Sequence, residues 1–426
     1  MKHHTISSLL AIAAATTVTR AGTPAPSPEI AAAEEAPWIK PTLDIRARFE
    51  YGDMDSPALR SSTAFTTRER VGLLTKEWYG FSAFVEGEFT QVIDDSYDGA
   101  PGALGNNVNP NDPSRTLIAD PETNELNQAW LQWKGYDTVV KGGRQRIIFD
   151  NAAMIGNVGW RQNEQTFDGV FISNQSLECL TLSYAYANRA NRIFGSDALG
   201  AARNFAGDMH MFNVNYSGIE NTKLTGYAYL LDFDETAANG GYISGNTFGL
   251  IAETTLAGFA LRGEAAYQTD ADSTPARKDD STYAHLNGSY TVCGQTIGLG
   301  WEYLDADFTT PLATVHAFNG FADVFINNRI GLANNPGLND VYLSHSTGLP
   351  FWGLKFSQFL HLFGDNNTEF DYGWEYDAVL VKKFNESFTA IAKFAYYDAD
   401  GPTAGKIANP APFDTTRVTV ELNYKF

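Results

Sequence analysis

Residues 42–51, TLDIRARFEY, place Leu43, Ile45, Ala47, Phe49 and Tyr51 on one face of an extended chain and Asp44, Arg46, Arg48 and Glu50 on the other. Successive side chains of a strand point to opposite faces, so this period of two reads as a β-strand with one apolar and one charged side. The alternation returns along the chain. GFSAFVEGEFT (80–90) sets Phe81, Ala83, Val85 and Phe89 against Ser82, Glu86, Glu88 and Thr90, and FALRGEAAYQT (259–269) sets Phe259, Leu261, Ala265 and Tyr267 against Arg262, Glu264 and Gln268. The closing TTRVTVELNYKF (415–426) puts Val418, Val420, Leu422, Tyr424 and Phe426 opposite Arg417, Glu421, Asn423 and Lys425. Segments of about ten residues with this pattern are what outer-membrane strands require. A soluble sandwich also alternates, but with its polar face outside.

The connections decide between these architectures. Tight turns at Lys76–Gly80, Lys134–Asp137, Asn174–Glu178, Ser217–Asn221, Thr255–Gly258, Cys293–Gly294, Gly348–Leu349 and Phe384–Asn385 alternate with longer polar loops such as Asp94–Thr123, Asn188–Gly207, Asp232–Gly245, Asp270–Asp280, Asp305–Gly337 and Asp398–Phe413. Short turns on one rim and long loops on the other predict an all-β fold: a transmembrane antiparallel β-barrel of about 18 strands, with short periplasmic turns and long extracellular loops. Trp78, Tyr79, Trp133, Tyr136 and Tyr424 beside the short turns suit an aromatic girdle at headgroup depth. The chain has no second apolar run of the roughly 18 residues a membrane helix needs.

The first residues, MKHHTISSLLAIAAATTVTRAG, combine a basic tip, an apolar stretch and small residues, and read as a signal peptide over 1–21. Residues 22–41, rich in Pro and Ala, are expected to form a periplasmic leader, and 42–426 the barrel in the bacterial outer membrane. Only Cys179 and Cys293 are present, about six strands apart, so no disulfide framework is expected and two free thiols are favoured over a bond. The 30 Lys and Arg stand against 50 Asp and Glu, for a formal charge of −20. That balance excludes a general nucleic-acid binder and requires any anionic partner to meet a local basic patch. The surrounding partners expected are outer-membrane lipid and lipopolysaccharide.

In a barrel of this size the polar faces line an aqueous channel. Arg46, Arg48, Arg68, Arg70, Arg262 and Arg417 lie opposite apolar faces, and arginine-lined pores select anions. A turn centred on Trp78 sets Arg70 opposite Glu86 and Arg68 opposite Glu88, a ladder that competes with substrate contact. Arg46 and Arg48, with fewer carboxylates on their own strand, are the better candidates for an open basic surface. The same register points Glu69 at lipid.

No enzyme is expected. Glu86 and Glu88 share a face, but the arginines opposite them lower a carboxyl pKa where a general acid needs it raised. His210, His285, His316, His345 and His361 are scattered singly, without metal-ligand or nucleophile motifs, and read as rim or loop residues. No cofactor is expected. The acidic groups around Asp94, Asp232, Asp270, Asp279 and Asp305 offer Ca²⁺ carboxylates but no complete ligand loop, and read first as a solvated outer face.

GGRQRIIFDNAAMIGNVGWRQNEQTFDGVFI (142–172), LATVHAFNGFADVF (312–325), GLNDVYLS (337–344) and the final LNYKF resemble the alginate-export family of outer-membrane porins. The resemblance implies a passive channel that conducts an anionic uronate polymer or another anionic solute, working with periplasmic export partners. It also implies that Arg144, Arg146 and Arg161 are substrate-path groups. Placing Arg144 and Arg146 in the lumen turns Lys141 and Gln145 to lipid, so periodicity leaves open which pair faces the pore.

GNVGWRQNEQTFDGV (156–170) follows the fifth strand on the long-loop side. It reads as a constriction or gating loop, with Trp160 offering a flat face to a sugar ring and Arg161, Gln162, Asn163, Glu164 and Gln165 offering hydrogen bonds. The competing reading is an internally bonded loop that braces the wall. HAFNGFADVFINNR (316–329) reads as a short helical cap whose Phe318, Phe321 and Phe325 serve packing.

Overall fold

The computed structural model describes residues 37–234, 243–271, 280–330, 336–366, 371–400 and 409–426. The expected signal peptide and most of the expected leader lie outside the described residues. Eighteen strands run in chain order: β1 (Ile39–Met54), β2 (Ser62–Thr75), β3 (Phe81–Ser96), β4 (Thr123–Gly135), β5 (Thr138–Gln145), β6 (Thr166–Asn174), β7 (Leu180–Asn191), β8 (Asn204–Ile219) and β9 (Thr222–Phe233) form the first half. The second half is β10 (Gly245–Leu256), β11 (Phe259–Thr269), β12 (Ser281–Val292), β13 (Gln295–Leu304), β14 (Leu338–Gly348), β15 (Leu354–Gly364), β16 (Gly373–Lys383), β17 (Phe388–Ala399) and β18 (Thr415–Lys425). Each strand pairs antiparallel with its neighbours, and β1 pairs with both β2 and β18, which closes the sheet. Closure leaves no strand edge unpaired, the condition for sheet structure in hydrocarbon. The expected barrel, strand number and alternation of short and long connections are all present.

Lipid faces the apolar side. Leu131 and Leu299 are 57% and 62% exposed, whereas the inward Arg48 and Glu88 are fully buried. Trp78, Tyr79 and Tyr136 stand out at the short-turn rim as a girdle requires. Several short turns place both central residues at positive φ, among them Ala257–Gly258 (50°, 87°) and Cys293–Gly294 (49°, 75°). This geometry continues the right-handed twist of the flanking strands. Cys179 and Cys293 are free and exposed.

The β2–β3 register differs from the sequence expectation by two residues. Arg70 faces Glu88, Arg68 faces Thr90, and Gly72 faces Glu86, because Trp78 pairs back on Phe81 and moves the centre of the turn along the chain. A slip of two keeps every side chain on its expected face, so the arginines still point inward and Glu69 stays on the outer wall beside Ile45 and Phe89.

Bulges then adjust individual side chains. The one at Glu86/Gly87 turns both Asn127 and Gln128 inward, and each donates to Glu86 Oε1 at 2.9 Å. The bulge at Asp168/Gly169 brings Gly169 so close to β7 that a Cβ would lie 1.9 Å from the Tyr186 carbonyl oxygen. Gly169→Val is therefore expected to destabilise the barrel by about 1–3 kcal/mol, whereas Gly142→Ala, which meets only Val170 at 3.9 Å, stays within about 0.5 kcal/mol. Urea titration of the heat-modifiable folded band measures both.

Candidate functional site

Two long loops turn back into the barrel and meet. Residues 146–165, between β5 and β6, begin with an apolar anchor in which Ile147, Phe149, Met154 and Ile155 pack on the inward Phe167, Met209, Met211, Tyr227 and Tyr229. From there the chain crosses to the opposite wall. Residues 305–337, between β13 and β14, carry Phe325 into a cluster with Phe363, Tyr372 and Tyr397. Phe321 stacks on His316, and Phe318 lies under Arg329, so these phenylalanines do pack. Among the described residues of this loop, Val315–Ala317 and Ile326–Ile330 are the helical turns.

The loops are joined by main-chain and side-chain bonds. Gly156 N donates to Leu312 O at 2.8 Å, Thr314 N to Ala152 O at 3.0 Å, and Gln165 Nε2 to Gly156 O and Leu312 O at 2.8 and 3.0 Å. The Trp160 ring stacks on His316 with centroids 4.5 Å apart and planes at 2°. The Arg48 guanidinium and Lys393 Nζ lie 4.4 and 3.4 Å from the Trp160 ring centroid. Trp160 is thus a buried keystone and presents no open face to a sugar, contrary to the sequence expectation.

The arginines of β1 and β2 hold this plug. Arg46 donates to the carbonyls of Gly159, Trp160 and Arg161 at 3.2, 2.9 and 3.0 Å and lies 3.3 Å from Glu421. Arg48 also bonds Trp160 O and pairs with Asp120 and Glu421 at 2.9 and 3.0 Å. Neither forms an open basic surface. Arg70 bonds Glu88 and reaches Gln162 O, while Arg68 bonds Asp44. Arg146 joins Glu164 and Glu86 at 2.5 and 3.1 Å. Arg161 pairs with Glu50 and Asp323 at 3.0 and 2.6 Å, and Arg417 shares Glu50 at 3.1 Å.

The remaining polar residues of the motif are spent in the same way. Gln162 donates to Thr66 Oγ1 (2.8 Å), Asn163 to Pro121 O and Ile193 O (3.1 and 3.0 Å), and Glu164 accepts from Asn127 and Asn157 (2.6 and 2.8 Å). The internally bonded reading of this loop describes the geometry, and it extends across the lumen rather than only along the wall. Glu86 and Glu88, tied to Arg146 and Arg70, form no acid pair for hydrolysis.

Arg144 lies elsewhere. It shares the outward face with Ala129, Leu131 and Val140, and makes a two-pronged pair with Asp168 at 2.6 and 2.9 Å on the outer wall. Lys141 and Gln145 are the inward pair, with Lys141 Nζ 4.8 Å from the Trp130 ring centroid. Gly143, at φ 119°, breaks the regular strand just before Arg144, and beyond β5 the chain swings Arg146 inward. Arg262 faces the lumen, paired with Glu264 at 2.5 Å.

The histidines are not rim residues throughout. His285 and His361 are buried on the lumen wall, His361 against Asp340 at 2.9 Å; His316 is in the plug, and His210 and His345 are on outward faces. Among the described residues no three His, Cys, Asp or Glu side chains assemble as a metal site. The groups that sequence reasoning missed are Asp120, Asp323 and Lys393, whose roles arise only when distant loops meet.

Burial pushes the His316 imidazole down to about 3, with Lys393 and Arg161 adding to the effect against the opposing pull of Asp323. Burial alone would raise Asp323, yet His316, Arg161 and Arg417 hold it below the usual carboxylate range.

The fold, the lipid-facing belt and the loop-crossed lumen define an outer-membrane channel protein of the porin type. Over residues 38–187 the chain matches the family described as alginate export, a range that includes the 142–172 motif, while the stretches 312–325, 337–344 and the final LNYKF lie outside it. No curated protein matches it in sequence. Among solved structures, Acinetobacter baumannii OccAB4 is 14% identical with a TM-score of 0.66, over 92% of this chain and 99% of that one. Pseudomonas aeruginosa OpdL is 14% identical with a TM-score of 0.65, over 91% and 98%. Pseudomonas aeruginosa OpdK, solved with vanillate, is 13% identical with a TM-score of 0.64, over 91% and 99%. At these identities the likeness is one of fold.

Two predictions follow from the plug. The docked His316 refuses a proton that the released loop accepts below its ordinary value of 6.5, so docking weakens as pH falls below that value. At pH 5.5 the contribution of this group is about 1.4 kcal/mol, an approximately tenfold rise in open probability over pH 7.5 in single-channel records, and His316→Gln removes that share of the dependence while leaving any from Lys393, Glu375 and Asp377, which contact the same loop. Glu50→Gln leaves Arg161 and Arg417 without their shared carboxylate, a loss of about 3–5 kcal/mol, and trypsin is expected to cleave after Arg161 in this variant but not in the parent.

Proposed function

We propose that this protein is a non-enzymatic channel for anionic substrates, with an alginate-like polyuronate as the leading candidate, closed at rest by the two-loop plug. The observation that carries the reading is the convergence of Arg46, Arg48, Arg70, Arg146, Arg161 and Arg417 on one stretch of lumen. Displacing the inward loops takes Glu164 and Asp323 away together with Arg146 and Arg161. Arg46, Arg48, Arg70 and Arg417 keep Glu421, Asp120, Glu88 and Glu50 but lose the loop carbonyls of residues 159–162 and 322, which frees guanidinium N–H groups well matched to a uronate carboxylate. The alginate-export match over the first seven strands favours a sugar acid over other anions. Trp160, Gln162, Asn163 and Gln165 act in this reading as gate residues rather than as a sugar-binding loop.

A second reading is a diffusion porin for small carboxylates or oligosaccharides. It is favoured by the similarity to OpdK, solved with vanillate, an aromatic carboxylate. Planar-bilayer recordings separate the two. The first predicts an anion-directed reversal potential and block by added polyuronate, both weakened in Arg46→Ala and Arg48→Ala and unchanged in Arg144→Ala, whose side chain is on the outer wall. A conductance without selectivity or block, indifferent to Arg46 and Arg48, would establish the diffusion porin instead.

A further inference from the structure

Most of the lysines of this chain lie near one end of the barrel; Lys393, held against Trp160, is an exception. Lys40 on β1, Lys134 on β4, Lys141 on β5, Lys355 on β15, Lys383 on β16 and Lys425 on β18 all lie within a few residues of the short-turn rim. The alternation of their strands turns them inward. Lys134 shares the face of Gln128 and Trp130, Lys355 that of Ser357 and His361, Lys383 that of Asp377 and Val379, and Lys40 that of Arg46 and Arg48. Lys223 is on the inward face of β9, and no lysine lies on β6–β8 or β10–β14, so the group forms an arc over β15–β18, β1, β4 and β5 rather than a closed ring.

Some of these charges are engaged. Lys425 pairs with Asp44 at 3.1 Å, Lys223 with Glu253 at 3.1 Å and more loosely with Asp150 at 3.8 Å, and Lys141 lies over Trp130. Lys40, Lys134, Lys355 and Lys383 are exposed and have no ion pair among the described residues. Carboxylates at this end include Asp44 and Glu253 on the inward strand faces, which take Lys425 and Lys223, and Glu77, Asp137, Glu178, Glu220 and Glu386 on the turns.

The opposite mouth has the reverse character. Its loops carry carboxylates at Asp55, Asp98, Asp112, Asp234, Asp305 and Asp371, among others. Lys278 and Lys406 are the only lysines in the long loops, and both fall outside the described residues. The charge of −20 is thus distributed along the barrel axis rather than evenly. With a Debye length of about 8 Å at physiological salt, each mouth presents its own field to an approaching chain.

We infer that the periplasmic lysine arc over β15–β18, β1, β4 and β5 is a capture site for a polyanionic carbohydrate, which enters from the short-turn side and meets the plug from beneath. The inference rests on the anionic-substrate reading and adds a direction to it. A polymer with a carboxylate on every sugar engages several lysines at once, whereas a single small anion gains little from any one exposed lysine. The acidic outer loops disfavour capture from the other side.

The test is the binding of fluorescently labelled polyguluronate to the full-length protein in nanodiscs, where both mouths are free and no opening of the channel is required. In 50 mM salt the variant Lys40→Gln/Lys134→Gln/Lys355→Gln/Lys383→Gln is expected to bind at least about tenfold more weakly than the parent, and the difference should shrink at 500 mM. All four residues are exposed rim positions, and the heat-modifiable band reports whether the variant folds. A variant that keeps only two of the substitutions, Lys134→Gln/Lys355→Gln, is expected to fall between. Unchanged binding in folded lysine variants, with loss in Arg70→Ala, would overturn the capture site and leave the anionic-channel reading standing. Absence of polyguluronate binding by the parent protein at either salt, together with no anion preference in bilayers, would overturn both.

Discussion

Everything in this molecule depends on the absence of water from the bilayer interior. A strand in hydrocarbon must find a partner for every backbone N–H and C=O, and a sheet achieves this only by closing on itself. The pairing of β1 with β18, from Asp44↔Lys425 to Met54↔Thr415, is that closure. Once the sheet is closed, one face of each strand meets lipid and the other meets the lumen, so charge is concentrated on the inside, with Glu69 and the Arg144–Asp168 pair as exceptions on the outer wall. The concentration of arginines and carboxylates in the lumen is thus a consequence of the membrane as much as of function.

Confinement then makes pairing compulsory. An arginine buried by incoming loops must recover what it loses in hydration, and Arg46 and Arg48 do so by bonding the carbonyls of residues 159–161 and the carboxylates of Asp120 and Glu421. Buried ion pairs of this kind add little net stability relative to well-packed apolar groups, but removing one partner is costly. A plug built from them is accordingly well specified in position and sensitive to any change that neutralises one member. Trp160, between two cations and His316, joins the electrostatic and packing halves of the closure.

Much of this was legible in the chain. The alternation in residues 42–51 and 415–426, and the sequence of short and long connections, suffice for the barrel, its strand number and the inward faces of Arg46, Arg48, Arg68 and Arg70. The pairing of Arg68 and Arg70 was less accessible. Their register depends on a local fold-back of Trp78 on Phe81, which shifts the ladder by two residues without changing any face. Arg144 was ambiguous for a related reason. Gly143 interrupts the regular geometry next to it, and the Gly-Arg-Gln-Arg motif divides its arginines between the outer wall and the lumen.

The sequence by itself determined the architecture, the membrane and the charge of each face, because strand periodicity and lipid contact act on neighbouring residues and leave a periodic trace. It also concentrated lysines near the short turns and carboxylates in the long loops. Only the tertiary structure decided that the polar run from Asn157 to Gln165 is buried and that Asp120, His316, Asp323 and Lys393 belong to one assembly. Those contacts join residues tens to hundreds of positions apart through loops without periodicity. Their partners are selected by the shape of the closed lumen, a property that exists only after all eighteen strands have met.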